Sequence, residues 1–396
     1  MTASDSAATP DRGAAPGQVA MLAVGLALLF VSWRLFLTPH AIASMYERDL
    51  PAYQGAIDAF AAGRNPYLPA EANRPHGLPF IAPPFVWMLY NLAAHSPIRP
   101  IFSTLLIIAD VIASVGIPVI LSRLLLGPGM ARIILGTGFF FAALLGCGVF
   151  TVLVANNGTV LYALIALGLI PAVRDGRWLW FHLAVALSTA FKPFYAAFWL
   201  VPLLADAEAR AQWRSAALAV AAAAASYAIP LVIAPRLMRE WLHTLMTQVV
   251  GKDRVGDNLL GAVTADPHHA PLAPMAAHLA FSAVLLAGSL MLDRLTRTQR
   301  IAGLLMVAVF INPRAMRYDL PVALVPLLAM VAGALARGRP DGFIQAVVAA
   351  VLAAITIYFS KGAPPDGYLY AAVATVAMLG TIVATRTRPA VIPEPA

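Results

Sequence analysis

Apolar and polar positions in this chain separate into long blocks. Apolar runs lie near residues 18–37, 100–122, 132–152, 157–173, 178–191, 193–205, 215–234, 271–292, 300–312, 319–336, 343–360 and 367–385, with short polar connections between them. A run of about 17–25 apolar residues matches the hydrocarbon core of a bilayer. The pattern predicts an all-α fold: a polytopic membrane helical bundle of about twelve spans, since helices satisfy their own backbone in lipid. Several runs are short and require local thinning or partial burial. Residues 1–17 read as a disordered cytoplasmic tail, 18–385 as one transmembrane domain, and 386–396 as a second tail. Ala41-Ile42-Ala43 looks like a signal-peptide cleavage site. The preceding apolar run is longer than a signal peptide needs and follows no basic cluster, so it reads as a span.

Composition sharpens this picture. The chain is 60% hydrophobic and 12% charged, too little charge to cover a soluble surface of this size. Its net charge of +8 does not point to nucleic acid, because no basic run is interleaved with polar residues and aromatics. The lone cysteine, Cys147, lies in an apolar run and reads as a small buried residue.

The arginines orient the spans. Arg12, Arg123, Arg132, Arg174, Arg177, Arg210, Arg214, Arg294, Arg297, Arg300, Arg337, Arg339, Arg386 and Arg388 all fall on one side with these boundaries. The positive-inside rule makes that side, and both termini, cytoplasmic. Parity forces one break. Trp178 to Leu204 looks like one helix, but Lys192-Pro193 sits in its middle, where proline ends a helix and lysine is costly in lipid. Two short helices meeting at Lys192 keep Arg210 and Arg214 inside. Residues 81–94 open on Pro83-Pro84 and are too short to span, which predicts an interfacial or re-entrant helix in a long first outer loop.

The outer side collects the polar chemistry: Glu47, Arg48 and Asp49, then Asn157, Lys192, the 235–270 loop with Asn258, Arg314 to Asp319, and Asp366. Ionisable groups at membrane depth are functional candidates by default. Each can equally be a solvated loop residue paired with a neighbour.

The motifs form an ordered set. Arg48-Asp49-Leu50-Pro51-Ala52-Tyr53 is followed by Gly63-Arg64-Asn65-Pro66-Tyr67 and by Ala82-Pro83-Pro84-Phe85. Asn157-Gly158-Thr159, Phe191-Lys192-Pro193-Phe194, Gly256-Asp257-Asn258, and Asn312-Pro313 through Tyr318-Asp319-Leu320 come next. In order and sidedness this resembles glycosyltransferase family 87 of the C-type superfamily, the polyprenyl-phosphate-mannose-dependent mannosyltransferases and their relatives. The chain departs from that pattern at Arg314 and Arg317, where many relatives carry His or Trp, and in lacking an intact Gly-Gln near Asn157.

The resemblance implies an inverting hexosyltransferase in a bacterial inner membrane. It would move a hexose, mannose by that likeness, from a polyprenyl phosphate to a hydroxyl of a lipid or envelope glycan on the periplasmic side. Asp49 would be the general base, since a carboxylate is ionised at neutral pH and can take the hydroxyl proton. It can instead pair with Arg48 or cap the helix beginning near Pro51. Lys192, Arg314 and Arg317 would bind the donor phosphate, against a plain orientation or ion-pair role. Tyr53, Tyr67, Asn157, Asn258, Tyr318 and Asp319 would bind substrate. Outer-loop aromatics suit sugar stacking, but also any membrane interface. His268-His269 with Asp266 lacks a third ligand at useful spacing. No cofactor or resident metal is expected, and a divalent metal at the phosphate stays open. The rival class is a transporter or flippase of lipid-linked sugar. The enzyme reading expects Asp49, Lys192, Asn258 and Arg317 to line one outward cavity.

Overall fold

The computed structural model describes residues 16–36, 49–67, 82–146, 157–205, 207–246, 272–290, 292, 295–312, 321–336 and 342–360. Among them there is no strand, and the described residues form fifteen α-helices. In order these are α1 (Pro16–Phe36), α2 (Asp49–Ala61), α3 (Pro84–Ala94), α4 (Phe102–Leu125), α5 (Met130–Gly146), α6 (Asn157–Asp175), α7 (Leu179–Phe191), α8 (Leu200–Ala205), α9 (Ala207–Ala211), α10 (Trp213–Ile233), α11 (Pro235–Leu245), α12 (Leu272–Ser289), α13 (Arg297–Phe310), α14 (Pro321–Leu335) and α15 (Gly342–Ser360).

Every expected apolar segment up to residue 360 carries a helix, and the segment 367–385 lies outside the described residues. Among the described residues, four stretches are long and apolar enough to cross a membrane: Pro16–Arg34, Arg99–Leu125, Gly158–Asp175 and Trp213–Ile233. Their outward faces are strongly apolar. Ile112 is 66% exposed on α4 and Val232 79% on α10, surfaces suited to lipid and costly in water.

Close backbone approach holds the bundle, as it does where lipid removes the drive for burying apolar side chains. A Cβ added to Gly25 of α1 would collide with the α5 backbone at Leu135, and one on Gly168 of α6 with the α7 backbone at Phe181. One large core runs through α1, α4–α9 and α12–α15.

Side-chain contacts fix which helix ends meet. Gly342 abuts Met21 and Gly17, and a cavity joins Gln18 to Arg132. Gln299 lies against Gly333. The Arg297 guanidinium donates to the carbonyls of Val173 (3.0 Å) and Ala172 (3.1 Å), capping the C-terminus of α6. Arg300 donates to Ala205 O at 2.8 Å and Leu292 O at 3.1 Å. Gln212 accepts from the Trp178 amide and donates to Gly176 O. Residues 17–22, 122–132, 172–178, 205, 207–214, 292, 295–300, 333–336 and 342 therefore share one end of the bundle. It is the end that carries Arg123, Arg132, Arg174, Arg177, Arg210, Arg214, Arg297 and Arg300.

The break at Lys192 is present. Lys192 is extended (φ −146°, ψ 112°), and a 3-10 segment, Pro193–Trp199, follows it. Trp178 and Ala205 both sit at the Arg-bearing end, so α7 and the 193–205 segment form a hairpin with Lys192 at its tip. Ser188 lies against Leu161, and Phe181 against Gly168, so α7 runs antiparallel to α6. The tip reaches the level of the α6 N-terminus, far from the arginines.

Candidate functional site

A second, separate core caps the end opposite the arginines. It consists of Ala56, Ile57, Phe60, Tyr67, Val86, Tyr90, Ala93, Ala94, Met238 and Trp241. The segment 49–67 and α3 thus pack onto α11, which belongs to the 235–270 segment. The sequence reading took that segment as a loop. Its first turns are helical because Pro235 pre-sets the first turn and Met238, Trp241 and Leu245 share one face.

The Gly-Arg-Asn-Pro-Tyr motif has a local structural logic. Gly63 (φ +66°) ends α2 in the left-handed conformation that glycine adopts most easily. Its amide donates to Phe60 O at 2.9 Å and the Arg64 amide to Ala59 O at 2.8 Å, the paired bonds of a Schellman end. Asn65 Oδ1 then accepts the Tyr67 amide at 3.0 Å. The Tyr67 ring is buried and its hydroxyl donates to Ala82 O at 2.7 Å, pinning the start of the Pro-Pro segment. Burial, and secondarily the Glu240 carboxylate, push the Tyr67 phenol well above its ordinary range.

Two polar links close the cap. The Asn65 side-chain amide donates to Glu240 Oε2, while Arg236 Nε donates to Glu240 Oε1 at 2.9 Å. Arg99 pairs with Asp58 at 3.0 Å. Arg99 and Arg236 at this end meet carboxylates, whereas Arg297 and Arg300 at the other end meet helix carbonyls. Glu240 and Asp58 escaped the sequence reading, which had no way to pair positions so far apart.

Aromatic rings line the junction between cap and bundle. Tyr53, on the second turn of α2, packs on Tyr90 at 5.9 Å between centroids, and Tyr90 on Phe102 at 5.5 Å. Phe191, next to Lys192, packs against both this cluster and the main core. Tyr227 packs on Trp241 and donates to Thr189 O at 2.7 Å, fastening the hairpin below its tip. The Tyr195 amide donates to Lys192 O at 3.1 Å and its hydroxyl to Gly158 O at 3.3 Å. The Lys192 turn and the Asn157-Gly158 turn are thereby joined.

Of the expected site residues, Tyr53 and Tyr67 lie in the cap, and Lys192 lies at the hairpin tip beside it. Asp49 is the first residue of α2 and Asn157 the first of α6; their side chains lie outside the described set. Asn258, Arg314, Arg317, Tyr318 and Asp319 lie outside the described residues altogether, as do His268 and His269. Of the four residues expected to line one outward cavity, Asn258, Arg317 and the Asp49 side chain thus lie outside the described set, and Lys192 follows Phe191, which packs against the cap. Just before the late motif, His278 of α12 is buried and its Nε2 donates to Ile311 O at 3.2 Å, fixing the end of α13. Asp110, wholly buried in α4, is a second carboxylate at membrane depth that an apolar run concealed. Among the described residues no cluster of three potential metal ligands occurs.

No family model, curated protein or solved structure matches the chain.

Proposed function

We propose that the protein is a membrane glycosyltransferase of the family 87 kind. It would transfer a hexose from a polyprenyl phosphate to a hydroxyl of a lipid or envelope glycan. The observation that carries this reading is the cap itself: the loop bearing Asp49 and its aromatics is built onto the helix break that bears Lys192. A lipid-carried sugar needs a carboxylate, a cation and stacking surfaces at one membrane face, and these are the residue types gathered there. In this reading the Arg-bearing end faces the cytoplasm of a bacterial inner membrane, with both termini, and the cap faces the periplasm. The twelve-span count belongs to the same proposal.

The acceptor oxygen attacks the anomeric carbon and its proton passes to the Asp49 carboxylate. The bond from that carbon to the phosphate oxygen breaks, and the polyprenyl phosphate leaves with the electron pair. Lys192, with Arg314 and Arg317, would neutralise the charge it gains. Attack opposite the leaving group inverts the sugar.

The test is reconstitution with a polyprenyl-phosphate-linked hexose, followed by product analysis for wild type and Asp49→Asn. A new glycosidic bond that the Asn variant makes at least 100-fold more slowly is the expected result. Equal rates would remove Asp49 from the chemistry. Sugar crossing the bilayer with no new bond would make the protein a transporter.

A further inference from the structure

At the Arg-bearing end, the first turns of α1 and α5 enclose a cavity of about 370 Å³. Gln18, Val19, Met21 and Leu22 form one wall, and Gly129 to Arg132 the other. The volume falls within the ~300–1,000 Å³ common for ligand sites. Arg132 is half-buried, yet among the described residues its guanidinium meets no carboxylate and no carbonyl. It differs in this from Arg297 and Arg300 at the same end. Gly127 (φ +118°) lets it lie flat, since a Cβ there would come within 2.5 Å of Nη1. A guanidinium fork half removed from water favours a phosphate over solvent.

The cavity continues into an apolar track. Val19, Leu22, Leu26, Phe30 and Trp33 are 55%, 39%, 50%, 59% and 54% exposed along one side of α1. That side runs about 21 Å by helix rise, across most of a hydrocarbon core. Cation, cavity and track are stacked in the order of a lipid headgroup and its chains. We propose that this is a binding site for one anionic phospholipid, its phosphate on Arg132 and an acyl chain along α1. It lies at the opposite end from the cap, so it is independent of the glycosyltransferase reading.

The test uses the full-length protein in nanodiscs of phosphatidylglycerol and phosphatidylcholine, with retained lipid counted by native mass spectrometry after detergent exchange. Wild type should keep one phosphatidylglycerol, and Arg132→Gln should hold it about ten-fold more weakly, as for the loss of a charged hydrogen bond. Arg123→Gln, exposed at the same end but outside the cavity, should leave retention unchanged. Should Arg132→Gln fold poorly, Val19→Trp fills the cavity from its exposed wall, keeps the cation, and should displace the lipid equally. Equal loss in Arg123→Gln would reduce the effect to diffuse surface charge and overturn the site. Displacement by millimolar inorganic phosphate would identify a free-anion site and overturn the lipid. Retention of phosphatidylcholine as tight as phosphatidylglycerol would overturn the role of headgroup charge.

Discussion

Asn65 donates its side-chain amide to the carboxylate of Glu240 and so ties the turn after α2 to a helix residue 175 positions later. The same Asn65 also turns the chain toward Tyr67. Asn65→Ala should lower the stability of the cap by about 1–3 kcal/mol, because it strands a largely buried carboxylate oxygen and the Tyr67 amide. Hydrogen exchange over 51–67 and 235–245 measures this, and both segments should loosen together. Unchanged protection would mean that apolar packing alone joins them.

Tyr67 sets an alkaline limit. Its folded pKa is raised, so the fold favours the neutral phenol. That contribution is fully present below the ordinary tyrosine value of about 10, and is lost as pH climbs above it. Thermal unfolding in detergent should show wild type losing stability between pH 9 and 11. Tyr67→Phe should lose less over the same interval, and Glu240→Gln should follow wild type, because burial is the larger cause of the shift. Parallel curves for all three would place the titration elsewhere.

The hairpin tip and the arginine connections should be reachable from opposite sides. In a Cys147→Ala background, single cysteines at 192 and 123 are probed with an impermeant thiol reagent. Position 123 should label only after the bilayer is opened, if 192 labels before. Labelling of both from one side would dismantle the arrangement of ends on which the proposed function stands.

Arg300 and Arg297 fasten helix ends. Each replaces missing helix partners with charged donors, so Arg300→Met should cost about 1.5–3 kcal/mol in thermal unfolding. Arg210→Gln, exposed in a neighbouring connection, should cost little. If both behave alike, the carbonyl contacts of Arg300 contribute nothing measurable.

Helix positions were readable from the sequence because apolar blocks follow directly from the solvent they must meet. The break at Lys192-Pro193 was readable too, since proline and a charge override the propensity of the flanking residues. α11 is hidden although Met238, Trp241 and Leu245 carry the helical period, because eleven residues are too few to span a bilayer and the flanking charges resemble those of a loop. The pairing of Asn65 with Glu240 had no signature at all, since a hydrogen bond between distant segments leaves no local pattern. Gly63 and Tyr67 were noticed as parts of a motif, but the physical reason was a helix stop and a turn, which needed coordinates.

The hairpin from Trp178 to Ala205 begins and ends at one end of the bundle. It is therefore neutral for threading: a chain shortened by it would leave every later helix pointing as before. Nothing about orientation requires those residues, which leaves selection free to shape the Lys192 turn for whatever meets it.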